Sequence, residues 1–180
     1  IRLPVELVLV SNDGGDSFQK ARVFDLKGRS VETGYLKVFS DRSSKDLFYG
    51  FGGTSEMYVS RDGGRNFYQK QPQETFPICD FGYIDTANKT EVRGEGGKTG
   101  IFYLALGDAG LYKFCYDTKT EEIRVKRLTD EGDACYRMGL GVIGEDSDYL
   151  TEEKAIYFCG RLDGEYGFYR TLDEGKSYER

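Results

Sequence analysis

The 180-residue chain contains no histidine. That absence removes Ser-His-Asp and Cys-His machinery, and every histidine-based metal site, from what this segment can build alone. Long apolar runs are missing too, so nothing in it reads as a membrane span and no membrane partner is expected. Basic residues are in deficit, 25 Lys and Arg against 31 Asp and Glu for a net charge of -6, and no basic stripe offsets this. Such a field repels phosphate backbones and argues against nucleic acid as a partner. Cysteine is sparse: Cys79, Cys115, Cys135 and Cys159 lie 36, 20 and 24 residues apart. This matches no C-x-x-C metal spacing, so no metal and no cofactor is expected. The thiols are buried strand residues or, in a secreted protein, one or two disulfides. No initiating Met precedes Ile1, and the chain stops inside a charged, strand-like run, Ser177 to Arg180. The sequence therefore reads as a piece of a longer protein, and no signal peptide is visible in it.

Helical patterns are scarce, while glycine is frequent and Tyr and Phe dominate the large residues, which reads as all-β. The chain also repeats. S-N-D-G-G-D-S-F at Ser11 returns as S-R-D-G-G-R-N-F at Ser60 and as T-L-D-E-G-K-S-Y at Thr171. All three fit [ST]-x-D-x-G-x-x-[FY], with Ser11, Asp13, Gly15 and Phe18 in the first copy. Ser60, Asp62, Gly64 and Phe67 form the second, and Thr171, Asp173, Gly175 and Tyr178 the third. The aspartates are 49 and 111 residues apart, so a further copy is expected near residue 117. There G-L-Y-K-F-C-Y-D-T-K-T, from Gly110, begins like the flank G-F-Y-R-T-L-D at Gly167 but has lost the turn residues.

Each copy follows two or three short strand patterns and precedes another, which gives four strands per roughly 50 residues, the period of a propeller blade. Residues 1–180 are expected to form one partial β-propeller domain of about four four-stranded antiparallel blades. Blade ends fall near residues 20–30, 70–75, 128–133 and 180, with no second domain in the segment. The motif sits between the third and fourth strands, where a hairpin must reverse. Its Asp is expected to accept from backbone N–H groups one and two residues on, its Gly to provide positive φ, and its final aromatic to tuck between sheets. An EF-hand-like calcium loop does not fit. Counting from Asn12 or Asp13, the twelfth position holds Val23 or Phe24 in place of a carboxylate.

The motif resembles the Asp box, or BNR repeat, of sialidases, sortilin-type receptors and the xyloglucanases of glycoside hydrolase family 74. The stretches G-L-Y-K at Gly110, Y-R-M-G-L-G at Tyr136, K-A-I-Y-F-C-G at Lys154 and the run from Gly164 to Tyr178 are similar to the end of the second propeller of family 74 enzymes. The resemblance implies a secreted, endo-acting, inverting hydrolase of a β-1,4-glucan such as xyloglucan. It further implies two seven-bladed propellers with the substrate between them, so that this segment would be partnered by the remaining blades and a second propeller. The family's catalytic base lies in the first propeller and its acid in a G-D-x-G-G-F-like segment early in the second. C-D-F-G-Y at Cys79 and G-D-A-G at Gly107 lack that pattern, so neither Asp80 nor Asp108 is given a catalytic role. The chain departs from the family in having no Trp. A sortilin-like propeller binding a protein or peptide is the alternative. A sialidase would need an upstream Arg-Ile-Pro signature, which is not found.

In a blade, loops that lead into strand one and join strands two and three lie on the rim away from the Asp boxes, and propeller clefts form over that rim. The candidate substrate-binding residues are therefore Tyr35, Asp80, Tyr136 and Arg137, with Arg161 and Asp163 in a strand-two-to-three loop. Tyr offers a sugar a stacking face and a hydroxyl, while Arg and Asp can bond its hydroxyls. The alternative is that these side chains fill the rim or pair with one another. The sequon Asn88-Lys89-Thr90 lies in what reads as a solvated insertion between strands one and two, up to Thr99.

Overall fold

In the computed structural model of the chain, the described residues are 8–32, 36–52, 56–71, 91–95, 98–142 and 154–180. Every regular element among them is a β-strand, as the composition requires. The chain divides into two compact units, Ile1–Thr86 and Ala87–Arg180.

The first unit opens with a hairpin of β1 (Leu9–Val10) and β2 (Gln19–Lys20) around the first Asp box. Its main body is an antiparallel meander of β5 (Leu36–Ser40), β6 (Phe48–Gly52), β7 (Met57–Ser60) and β8 (Asn66–Lys70), with the second Asp box turning β7 into β8. The repeat did not announce what borders this meander. Immediately after the hairpin, β3 (Arg22–Phe24) leaves β1 and runs parallel to β8, and β4 (Ser30–Val31) follows it. A sheet of six strands results, with the outer edge of β8 paired instead of open. Strand β7 is buried on both faces, which explains its unbroken apolar reading M-Y-V. Val23, Tyr58 and Phe67 pack there with Val8 and Val10 from the hairpin and Leu36, Val38 and Phe48 from the meander.

The second unit holds two sheets. One is β9 (Glu91–Gly94), β10 (Ile101–Ala105), β11 (Leu111–Tyr116) and β12 (Ile123–Arg127); the other is β13 (Ala134–Val142), β14 (Lys154–Leu162) and β15 (Glu165–Thr171). After the third Asp box, Glu179 bridges back to Arg170 where a fourth strand would begin. Between the sheets, Tyr103, Ala105, Leu111 and Leu128 meet Met138, Ile156, Phe158, Leu162 and Tyr169. The sheets are also tied by backbone: the Gly107 N–H donates to the Cys135 carbonyl at 2.7 Å and the Cys135 N–H to the Gly107 carbonyl at 2.8 Å. Cys115, Cys135 and Cys159 all lie on strands.

One expectation fails in this unit. The strand next to β10 is β9, inside the stretch read as a solvated insertion, while the sequon falls outside the described residues. Charged residues disguised the strand. Glu95, the residue just after it, is buried, accepts from the Tyr103 hydroxyl at 3.0 Å and pairs with Lys98 at 3.0 Å.

The three Asp boxes share one hydrogen-bond pattern. In the second, the Ser60 hydroxyl donates to Asp62 Oδ1 at 2.9 Å and accepts the Gly64 N–H at 3.0 Å. Asp62 then accepts from the N–H groups of Arg65 and Asn66, at 3.1 and 2.9 Å, and from the Asn66 side chain. The carboxylate thus reaches three and four residues on, not one and two, because the glycines curl the chain back over it. A partner in the motif went unread: Ser17, Asn66 and Ser177, each four residues after its Asp, donate from their side chains to its second oxygen. Gly15, Gly64 and Gly175 do take positive φ, at 101°, 84° and 81°. In the copy near 117, Asp117 still accepts from the Lys119 and Thr120 N–H groups, and Glu121 supplies positive φ at 60°.

The aromatics differ. Phe67 is fully buried, and the Tyr178 hydroxyl donates to the Leu128 carbonyl of the neighbouring sheet. Phe18 does not tuck in: it is 61% exposed, since its hairpin is a sheet of two strands with no described strand laid over the ring.

These bonds hold the Asp carboxylates ionised. Asp173 is lowered from 3.8 to about 2, first by the Ser177 hydroxyl and then by the Ser177 N–H. Asp13 is lowered still further, led by Ser17, while at Asp62 bonds from Asn66 and Ser60 outweigh the opposing effect of burial. A depressed folded-state value means stability that is present above the unfolded value and lost as pH falls through the folded one. The melting temperature of the wild type should exceed that of Asp173→Asn by a constant margin down to about pH 4, and that margin should close by about pH 2. A margin independent of pH over this window would show that the carboxylate's charge contributes nothing.

Candidate functional site

At the end of the second unit's sheets away from the third Asp box, three segments converge. They are the β10–β11 connection, the start of β13 and the β14–β15 turn. The register fixes this: Glu165 faces Leu162 at one end of β15, and Thr171, which opens the Asp box, lies at the other. The antiparallel backbone bridge between Gly107 and Cys135 ties together the two segments that carry Asp108 and Tyr136. The Tyr136 hydroxyl donates to Asp108 Oδ1 at 2.8 Å. That bond, ahead of a little burial and a bond with Tyr166, pushes the phenol up to about 12, so it stays protonated near neutrality.

Arg161 completes the group. Its guanidinium lies 5.6 Å from the Tyr166 ring centre, contacts the Tyr166 hydroxyl at 3.3 Å and donates to the Gly132 carbonyl at 3.0 Å. The Tyr166 bond raises Arg161 further above its ordinary value, so it is a permanent cation. Behind these, the buried Asp133 carboxylate accepts from the N–H of Asp163 at 2.9 Å and of Asp130 at 3.2 Å, fixing the β14–β15 turn where Asp163 takes a φ of 50°.

Of the residues singled out from sequence, Tyr136 and Arg161 are brought together here. Asp163 borders them through its backbone. Arg137 is exposed beside them and donates to the Tyr136 carbonyl at 3.1 Å. Tyr35 and Asp80 lie outside the described residues. Two members were missed. In the sequence Asp108 shows only as a look-alike of the family's acid segment, and Tyr166, 61% exposed, only as part of the run from Gly164 to Tyr178. The usable signal for Tyr166 was its place just after Asp163-Gly164, a turn between two strands. Two phenols, a guanidinium and a carboxylate on an exposed rim suit a neutral ligand rich in hydroxyl groups. The phenol faces offer apolar contact and the rest offer directed hydrogen bonds. Among the described residues no group of three or more His, Cys, Asp or Glu is placed to hold a metal.

No family model matches the chain. Over 144 residues it is 32% identical to a xyloglucanase of Acetivibrio thermocellus, covering 79% of this chain and 15% of that protein. Over 146 residues it is 27% identical to a xyloglucanase of a Paenibacillus species, covering 80% and 13%. The chain thus spans about a seventh of the length of the curated relatives it matches. Among solved structures, it aligns over 99% of its length with a family 74 xyloglucanase of Xanthomonas campestris, with a TM-score of 0.57 and 17% identity. It aligns over 97% with a family 74 enzyme of Niastella koreensis, with a TM-score of 0.58 and 18% identity, and it covers 28% of each of those chains. By fold, this is a β-propeller chain like those family 74 structures, and by sequence it is similar to xyloglucanases.

Proposed function

We propose that the chain supplies scaffold and part of the substrate cleft of a secreted glycoside hydrolase that acts, endo and with inversion, on a β-1,4-glucan such as xyloglucan. The observation that carries this is the exposed group of Asp108, Tyr136, Arg161 and Tyr166 on the rim away from the Asp box. The relatives' names support the same substrate. Inversion requires two carboxyl groups about 6.5–9.5 Å apart with a water between them. Asp108 instead holds a protonated phenol, so its role is binding, and the reading places both catalytic carboxylates elsewhere in the whole protein. Arg137 and Asp163 flank the same rim, and Tyr35 and Asp80 are carried as further contacts. The comparisons favour this over a sortilin-like, peptide-binding propeller.

In the whole enzyme, Tyr166→Ala and Arg161→Ala should each raise KM for xyloglucan about tenfold with little change in kcat, which is the loss of one stacking or charge-assisted contact, roughly 1.4 kcal/mol. Binding of xyloglucan oligosaccharides to this chain can be followed by tyrosine fluorescence, since no Trp interferes. Unchanged KM in both variants would remove the rim from the substrate path.

A further inference from the structure

Tyr136 is the odd residue of β13. Cys135 pairs with Gly160 and Arg137 with Cys159, so Tyr136 faces no partner on β14 and forms a bulge. Bulges re-aim side chains and recur beside active sites. This one brings the Tyr136 hydroxyl to Asp108, in the β10–β11 connection, at 2.8 Å. The phenol across the rim is held differently. Tyr166 stands directly opposite Arg161 on β14 and β15, and its hydroxyl oxygen receives an Arg161 N–H at 3.3 Å. The Gly132 carbonyl anchors the same guanidinium at 3.0 Å.

Counting protons gives the two phenols opposite roles. A phenol has one O–H to donate and an oxygen that accepts. The Tyr136 proton is committed to the Asp108 carboxylate, so toward anything else its oxygen can only accept. The Tyr166 oxygen already accepts from Arg161, so its own proton is the one left to give. The two phenols also bond each other, and by this count that bond runs from Tyr166 to Tyr136.

Resting on the rim's place in the substrate path, we propose that Tyr166 and Tyr136 form a slot for a single sugar hydroxyl, which replaces their mutual bond by accepting from Tyr166 and donating to Tyr136. Donors then run in one direction from the Arg161 guanidinium to the Asp108 carboxylate, and hydrogen bonds chained in this way strengthen one another. A hydroxyl fits because it donates and accepts through one oxygen. An ether oxygen can take the Tyr166 proton but leaves Tyr136 with nothing to accept. Asp108 is the positioning residue, since it sets the direction in which Tyr136 reads a ligand without touching that ligand.

Kinetics of the whole enzyme on xyloglucan test this with substitutions that keep the rings. Tyr136→Phe and Tyr166→Phe should each raise KM about tenfold at nearly unchanged kcat. Because both oxygens serve one hydroxyl, the double variant should be no worse than either alone, whereas independent contacts would multiply to about a hundredfold. Asp108→Ala should match Tyr136→Phe in KM and add nothing to it when the two are combined. If both Phe variants kept the wild-type KM while Tyr166→Ala raised it, the slot would be overturned and the rim would remain a stacking surface. If Tyr166→Ala also kept the wild-type KM, the rim would leave the substrate path and the slot would go with it. A hundredfold loss in the double variant, or an added loss from Asp108→Ala on Tyr136→Phe, would overturn the shared hydroxyl alone.

Discussion

Phe67→Ala is expected to cost about 3–5 kcal/mol, a large share of the stability of a typical domain. The ring is fully buried and fills the space between the hairpin and the meander, where Val23 stands opposite it on β3. No neighbour can collapse into that volume without moving β3, and the β3–β8 pairing would resist this. Phe18→Ala, the same change at the same motif position, should alter stability by no more than about 0.5 kcal/mol, because the ring is mostly in water. Urea unfolding in dilute solution separates the two. The midpoint should fall for Phe67→Ala at unchanged slope and hold for Phe18→Ala. Equal losses would mean that the motif aromatic acts through its turn and not through its burial.

Gly160→Ala should be comparably severe for a different reason. A Cβ at Gly160 would lie 2.0 Å from the Ala134 carbonyl oxygen and 3.2 Å from the Cys135 Cα, both of them backbone. Neither can rotate away, so β14 must part from β13 at the irregularity between Cys135 and Arg137. The expected loss is about 3 kcal/mol or more, beyond ordinary overpacking. It should appear first as faster hydrogen exchange at the Gly107 and Cys135 amides, which sit beside the displaced strand. Gly139→Ala is the control, since nothing lies within 4 Å of its Cβ position. If the two variants melted together, the close approach at Gly160 would not be a constraint.

The contrast between Phe18 and Phe67 also shows where sequence stops being informative. The Asp box was legible because its chemistry is local: an Asp, a hydroxyl two residues before it and glycines with positive φ all lie within one turn. Whether the aromatic after the turn is buried depends on which sheet covers it, and the motif does not encode that. The strand β9 was hidden because its charged residues resemble a solvated loop until Glu95 meets Tyr103. At the rim, Tyr136 and Arg161 could be placed from blade topology alone. Asp108 and Tyr166 could not be, since Tyr136 finds its carboxylate 28 residues back and across two sheets.

The two amide bonds between Gly107 and Cys135 separate geometry from chemistry. They use no side-chain atoms, so they hold positions 108 and 136 at a fixed spacing whatever residues occupy them. A chain built this way can exchange the pair at its rim, an acid and a phenol here, for other pairs without re-solving how the sheets meet. What the rim presents can then drift by single substitutions while the framework beneath it stays the same.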